Sequence, residues 1–177
     1  SPPLMSGTQS VLLNNGNTDY IDLSAHVGDF ANFSEGTITG WFKTSGTGAH
    51  VILAASDSSD PGREIRLFIE GGSLRYDVRG DVSSAGQLVS SASVNDGQWH
   101  HAAVTVDGVG NALLYLDGVE VASQAEPFFD AVLDLNTMAI GRNVDSGGGQ
   151  WYFDGNLDDV AVFSEVLTPA QITQIAA

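Results

Sequence analysis

Short runs in which apolar and polar side chains alternate recur along the chain at intervals of roughly 8 to 12 residues, and glycine or aspartate closes most of them. Alternation with a period of two marks strands with one buried face, so the pattern predicts an all-β, antiparallel sandwich or barrel. The runs are GTITGWFKTS, HVILAAS, EIRLFIEGGSLRYDV, HHAAVTVD, TMAIGR and LDDVAVF. The most explicit unit is NALLYLDGVEVAS, where Asp117-Gly118 suits a two-residue turn with positive φ. Such a turn pairs Leu116 with Val119 and Leu114 with Val121, which puts all four on one face and Tyr115 with Glu120 on the other. Gly71-Gly72 is expected to turn a second hairpin, giving about ten strands or more. Helical periodicity is nearly absent until LTPAQITQIAA, where Thr168 can cap a helix, Pro169 suits its first position and Gln171 completes a capping box. One short C-terminal helix is expected there. The SGGG run at 146–149 is too short for a linker and reads as a loop tip.

Composition narrows the partners. At 177 residues and 42% hydrophobic, the chain can bury one sizeable core, so a single domain over 1–177 is expected. No run approaches the roughly 20 apolar residues of a membrane span, and Ser1-Pro2-Pro3-Leu4 lacks a signal peptide's basic and apolar regions. With 22 acidic against 6 basic residues the formal charge is −16, which disfavours nucleic acid and anionic membrane surfaces. Lys43 is the only lysine, and so acidic a surface suits a salty or calcium-rich exterior. Lack of cysteine excludes a disulfide frame, a thiolate metal site and a cysteine nucleophile.

The adjacent histidines at 100 and 101 invite a metal or catalytic reading. Alternation sends His100 with Ala102, Val104 and Val106 to one face, and Trp99 with His101, Ala103 and Thr105 to the other. Neighbours on a strand cannot converge on one ion, so an architectural role is expected for both. Catalysis is not expected either. Glu64 and Glu70 stand roughly 20 Å apart along a strand, Asp158 and Asp159 point to opposite faces, and neither pair meets the roughly 5 Å separation of a retaining glycosidase. No nucleophile elbow, phosphate loop or His-Glu-x-x-His motif is present.

Two carboxylates do ask for an explanation. Alternation aligns Asp19 with Ile21 and Leu23, and Asp158 with Val160 and Val162, so each is expected on an inward face, where a bare charge is costly. One reading has Asp19 and Asp158 sharing a Ca²⁺, with Asn14, Asn15 and Asn17 adding oxygens. The other places both at strand ends, accepting backbone N–H bonds from neighbouring turns.

NDGQWHHAAVTVDGVGNALLYLDGVEVA, then MAIGR, then FDGNLDDVAVFSEVLTPAQI resemble the laminin G-like, concanavalin A-type jelly-roll family in its bacterial form. SVLLNNGNTDYIDLS resembles that family's opening strand, so the likeness covers nearly the whole chain. It implies an antiparallel two-sheet jelly roll, but not a single function, because the family holds lectins, glycan-binding modules, adhesion domains and glycosidases. The blunt ends suggest a module of a larger protein. Asp130 and Asp134 precede a late strand, relatives bind Ca²⁺ at a rim of loops, and Asp57, Asp60, Asp134, Asn143 and Asp145 fall in loops that could match; ordinary turn formation is the competing explanation.

For ligand contact, Trp151 and Tyr152 follow a glycine loop and could form a sugar platform, whereas Trp41 sits mid-strand and is expected in the core. Arg63, Arg66, Arg75 and Arg79 gather most of the scarce positive charge, as a basic strip or as internal ion pairs. The Arg79-Gly80-Asp81 tripeptide matches an integrin-binding motif short enough to arise by chance. The resemblance thus implies an extracellular or cell-surface, non-catalytic module for carbohydrate or glycoconjugate, with Ca²⁺ assisting. A protein-binding or spacer domain of an adhesin is the alternative, and a glycoside hydrolase domain a weaker one.

Overall fold

Period-two alternation becomes two stacked antiparallel sheets. The computed structural model describes residues 9–30, 33–60, 62–80, 83–125, 134–145 and 148–177. The first sheet runs, in spatial order, β1 (Val11–Leu13), β14 (Gly155–Phe163), β3 (Gly36–Lys43), β8 (Trp99–Val106), β9 (Asn111–Leu116) and β10 (Val119–Ala125). The second runs β2 (Ile21–Asp22), β11 (Thr137–Ile140), β4 (His50–Ser56), β5 (Glu64–Glu70), β6 (Ser73–Gly80) and β7 (Ser83–Val89). A separate hairpin joins β12 (Asn143–Asp145) to β13 (Gly148–Gln150). Ile38, Phe42, Ala102, Val104 and Leu114 from the first sheet meet Ile65, Leu67, Leu74, Tyr76 and Leu88 from the second in one core. Each large side chain so buried contributes about 1.5–3 kcal/mol. No helix among the described residues is long and apolar enough to cross a membrane.

The turns form as their glycines require. Asp117 and Gly118 have φ of 51° and 78°, Gly71 and Gly72 of 61° and 81°, all in the left-handed region that two-residue hairpins need. Leu116 pairs with Val119 and Tyr115 with Glu120, but a bulge at Val121 puts Ala122 opposite Leu114, so the expected Leu114–Val121 pair does not form. Val119, beside the turn, is 65% exposed.

At the end of the chain, α2 (Pro169–Ile175) has its capping box: Thr168 N–H donates to Gln171 Oε1 at 2.8 Å and Gln171 N–H to Thr168 Oγ1 at 3.3 Å. Ile172 buries against Ala103, Tyr115 and Leu167, which seats α2 on the outer face of the first sheet. A short helical turn, Ser24–His26 continuing into α1 (Val27–Phe30), lies outside the β pattern expected there.

The bulge in β14 corrects the reading of Asp158. Asp158 pairs with Trp41, but the next paired residue is Ala161, opposite Thr39. Gly40 lies between those two partners, and a Cβ there would stand 3.1 Å from Val160 and 3.4 Å from Ile52. Val160 fills the space that Gly40 leaves, and the extra residue, Asp159, is turned to a φ of 45°. Leu157, at 2% exposure, is therefore the inward residue of this half-strand. Asp158 does not continue the face of Val160 and Val162.

The histidines separate as alternation requires. His101 is buried against Trp41, ring centres 5.2 Å apart, on the face opposite Ala102 and Val104. Trp41 is buried, but on the outer face of the first sheet and not in the core between the sheets.

Candidate functional site

On β5 and β6, Ile65, Leu67, Ile69, Leu74, Tyr76 and Val78 enter the core, so the residues between them line the outer face of the second sheet. Register sets Glu64 opposite Arg79, Arg66 opposite Asp77 and Phe68 opposite Arg75. Arg66 makes a two-pronged bond to Asp77, Nε to Oδ1 at 2.8 Å and Nη2 to Oδ2 at 2.6 Å. Its Nη1 lies 3.0 Å from Glu64 Oε1, which Arg79 approaches to 3.3 Å. Further along, Arg75 Nη1 reaches Gln87 Oε1 at 2.8 Å and Glu70 Oε2 at 3.1 Å. These arginines are internal ion-pair partners first. Burial raises the Glu64 pKa, and the Arg66 guanidinium holds it back.

The β12–β13 hairpin folds over this layer. Asn143 is 1% exposed; its amide donates to Glu64 Oε2 at 2.7 Å, and its Oδ1 accepts from the Ser56 hydroxyl at 2.9 Å. Asn143 thus positions Glu64 and has no free end for a ligand. Trp151 follows the hairpin at a φ of 52°, its carbonyl fixed by the Val51 N–H at 3.0 Å. Its half-buried ring stacks on Phe68, centres 5.7 Å apart and planes at 25°, with the Arg66 guanidinium 4.4 Å from the ring centre. Stacking on an aromatic ring and a cation holds Trp151 in place, leaving its remaining exposure as a firm apolar surface.

Beside it, Tyr152 packs its hydroxyl where a Cβ on Gly149 would stand. Tyr20 lies 6.4 Å from the Tyr152 ring, and the Arg142 guanidinium sits 3.5 Å over Tyr20. Phe68, Tyr20 and Arg142 were not picked out by sequence pattern. Phe68 carried a signal in its place between Arg66 and Glu70 on the polar side of β5.

The rim carboxylates are already engaged. Asp57 accepts from the Ser59 hydroxyl at 2.7 Å, the Ser59 N–H at 2.9 Å and the Asn136 amide at 2.9 Å. The Ser59 hydrogen bonds lower its pKa. Asp60 Oδ2 and Asp134 Oδ2 lie 3.3 and 3.2 Å from Arg63, one guanidinium serving both. The side chain of Asp145, with Asp130 and Asp81, lies outside the described residues.

Asp19 lies just before β2 and matches the strand-end reading, whereas Asp158 lies within β14, at its bulge. Asp19 accepts the Asn14 N–H at 3.1 Å, and Asp158 the Asp159 N–H at 2.8 Å. Partial burial raises the Asp158 pKa. Among the described residues no three histidine or carboxylate side chains gather as a metal site. The described carboxylates named from sequence as Ca²⁺ donors are each already held, by Arg63, by the Asn136 amide or by backbone N–H groups.

Two six-stranded sheets, a capped terminal helix and an aromatic patch on one outer face define a lectin-like β-sandwich of the jelly-roll kind. The chain belongs to the concanavalin A-like lectin/glucanases superfamily, whose family model matches residues 15–173. No curated protein matches the sequence. Among solved structures it is similar to the CBM40 of the Ruminococcus gnavus IT-sialidase bound to α2,3-sialyllactose, at TM-score 0.81 and 18% identity over 96% of each chain. It is also similar to part of the NanB sialidase from Streptococcus pneumoniae, at TM-score 0.78 and 17% identity over 98% of this chain and 28% of that one. A SAP-like pentraxin from Limulus polyphemus shares the fold at TM-score 0.63 and 20% identity, over 82% of this chain and 70% of that one. At these identities the likeness is one of fold.

Proposed function

We propose that this chain is a non-catalytic carbohydrate-binding module that takes an acidic sugar on the outer face of its second sheet, as part of a secreted or surface protein. Trp151 carries the reading: a half-exposed ring locked by Phe68 and Arg66 offers a flat surface to the apolar face of a pyranose. Arg79, whose side chain is 49% exposed, edges the same polar layer and can meet a carboxylate. The similar Ruminococcus gnavus module was solved with both α2,3- and α2,6-sialyllactose, which supports an acidic sugar.

Binding without hydrolysis follows from the carboxylates. Of the acids on this face, Glu64 and Asp77 have side chains only 2% and 5% exposed, are tied to Arg66 and cannot reach a glycosidic oxygen, while the more exposed Glu70 is paired with Arg75, so β5 and β6 present no exposed pair of carboxylates among their described residues. Contact with the sugar runs without a metal, since Arg63 already neutralises Asp60 and Asp134.

A glycan array probed with and without EDTA tests this reading. Sialylated or uronate-bearing glycans should be retained over their neutral counterparts, equally in both conditions. Retention of no glycan would favour the spacer or protein-binding alternative, loss in EDTA would restore a calcium-assisted site, and release of sugar would restore the hydrolase.

A further inference from the structure

The outer face of the first sheet is only partly covered by α2. Beside its last turn, Thr39, Trp41, His101, Asp159, Phe163 and Ile175 line a groove of about 330 Å³, within the roughly 300–1,000 Å³ of small-molecule sites. It belongs to the sheet opposite Trp151 and shares no residue with that site.

Its lining mixes apolar walls with polar groups whose hydrogen-bonding capacity is unused. Trp41 forms the floor, Phe163 is half-buried, and Ile175, 38% exposed, stands at the helix end. His101 is 2% exposed, and its Nδ1 has no hydrogen-bond partner. Burial pushes its pKa down to about 4, so at neutral pH the ring is uncharged and offers one donor and one acceptor. The β14 bulge re-aims Asp159, which is exposed and turned to a φ of 45° while Asp158 accepts its N–H. Bulges beside a recess commonly serve to direct a side chain into it.

We infer that this groove is a second sugar site, accepting one neutral pyranose. An amphipathic ring fits the lining: its C–H face packs on the apolar walls, against the Trp41 and uncharged His101 rings, while its hydroxyls donate to Asp159. Among the described residues no cation lines the groove, and Asp159 at its mouth, with Asp158 next in the strand, repels an anionic sugar. The module then has two sites on opposite sheets, one for an acidic and one for a neutral residue.

Isotope-labelled protein titrated with the methyl glycosides of glucose, galactose and mannose tests the inference by NMR. At least one glycoside should give saturable shifts at the Trp41 indole, His101 and residues 159–161. Asp159→Gly keeps the positive φ while removing the carboxylate, and should weaken binding about tenfold, the loss of one charge-assisted hydrogen bond. Ile175→Trp fills the groove and should abolish the shifts, whereas Trp151→Ala should leave them intact. The inference is overturned if all three glycosides leave these residues unmoved, if the shifts gather at Trp151 instead, or if they persist in both groove variants.

Discussion

His100 and Asp117 meet at the end of β8, Nδ1 lying 2.9 Å from Oδ2, while the other ring nitrogen lies 3.2 Å from Asp96 Oδ1. Asp117 also accepts the His101 N–H at 2.8 Å, so the His100 ring and Asp117 together tie two turns to the strand. The Asp117 hydrogen bond raises the His100 pKa above its ordinary 6.5, against an opposing burial effect. The folded chain therefore holds this proton more tightly than the unfolded one. Its stabilisation is complete below pH 6.5 and is lost as pH rises through the folded value. Melting temperatures followed from neutral into mildly alkaline pH should fall further for the native chain than for His100→Gln. Parallel curves would show that the ring carries no linked proton.

His101 should give the opposite slope. Burial lowers its pKa from 6.5 to about 4, so on acidification the unfolded chain takes up a proton that the folded chain refuses. Stability attributable to this ring is present above pH 6.5 and is lost as pH falls towards 4, to a total of about 3 kcal/mol. His101→Leu keeps an apolar side chain against Trp41 and should flatten the acid side of the stability curve. An acid slope unchanged in that variant would sink the assignment.

The Arg66–Asp77–Glu64 cluster should be the polar group least tolerant of truncation. Arg66→Met leaves two buried carboxylates with only the half-exposed Arg79 beside them, 3.3 Å from Glu64 and 3.9 Å from Asp77, and removing one partner of a buried pair costs about 3–5 kcal/mol. Protonation relieves unpaired buried carboxylates, so the deficit measured by urea unfolding should shrink as pH is lowered. A loss below about 1 kcal/mol, the size of an exposed ion pair, would mean that water reaches the cluster.

Local chemistry was legible in the sequence, and long-range packing was not. Asp117-Gly118 and Gly71-Gly72 announce their turns because positive φ is a local demand, and the split between His100 and His101 needs only strand alternation. The β14 bulge is silent in LDDVAVF, since its cause is the missing side chain of Gly40 on a neighbouring strand. Trp41 read as core because an apolar mid-strand residue does not reveal which face lies between the sheets. Asn143 looked like a turn residue, but its burial depends on Glu64, 79 positions away. The ion pairing of the rim aspartates is silent for the same reason: Arg63 joins Asp60 to Asp134 only in the folded chain.

Removing that cation should open the rim to a divalent ion. In Arg63→Ala, Asp60 and Asp134 lose the guanidinium between them, and the exposed pair becomes open to a divalent ion. Added Ca²⁺ should raise the melting temperature of Arg63→Ala and leave the native chain nearly unchanged. A large calcium response in the native chain would mean that the ion displaces Arg63 or binds elsewhere.

The proposed sugar site rests on Trp151, and two measurements separate a binding role from a structural one. Trp151→Ala uncovers Phe68 and the buried Arg66, so part of its effect is a stability loss of about 2 kcal/mol, the value of one large apolar side chain. Trp151→Phe restores most of the stacking on Phe68, and its stability should recover with it. Sugar binding should not recover fully, because the smaller ring covers less of a pyranose; a deficit of about 1 kcal/mol, or several-fold in Kd, is expected. Isothermal titration with sialyllactose on both variants, beside their melting curves, makes the comparison. If affinity follows stability, with Phe recovering both and Ala losing both in proportion, Trp151 acts only by holding the hairpin down, and the sugar lies elsewhere on the sheet.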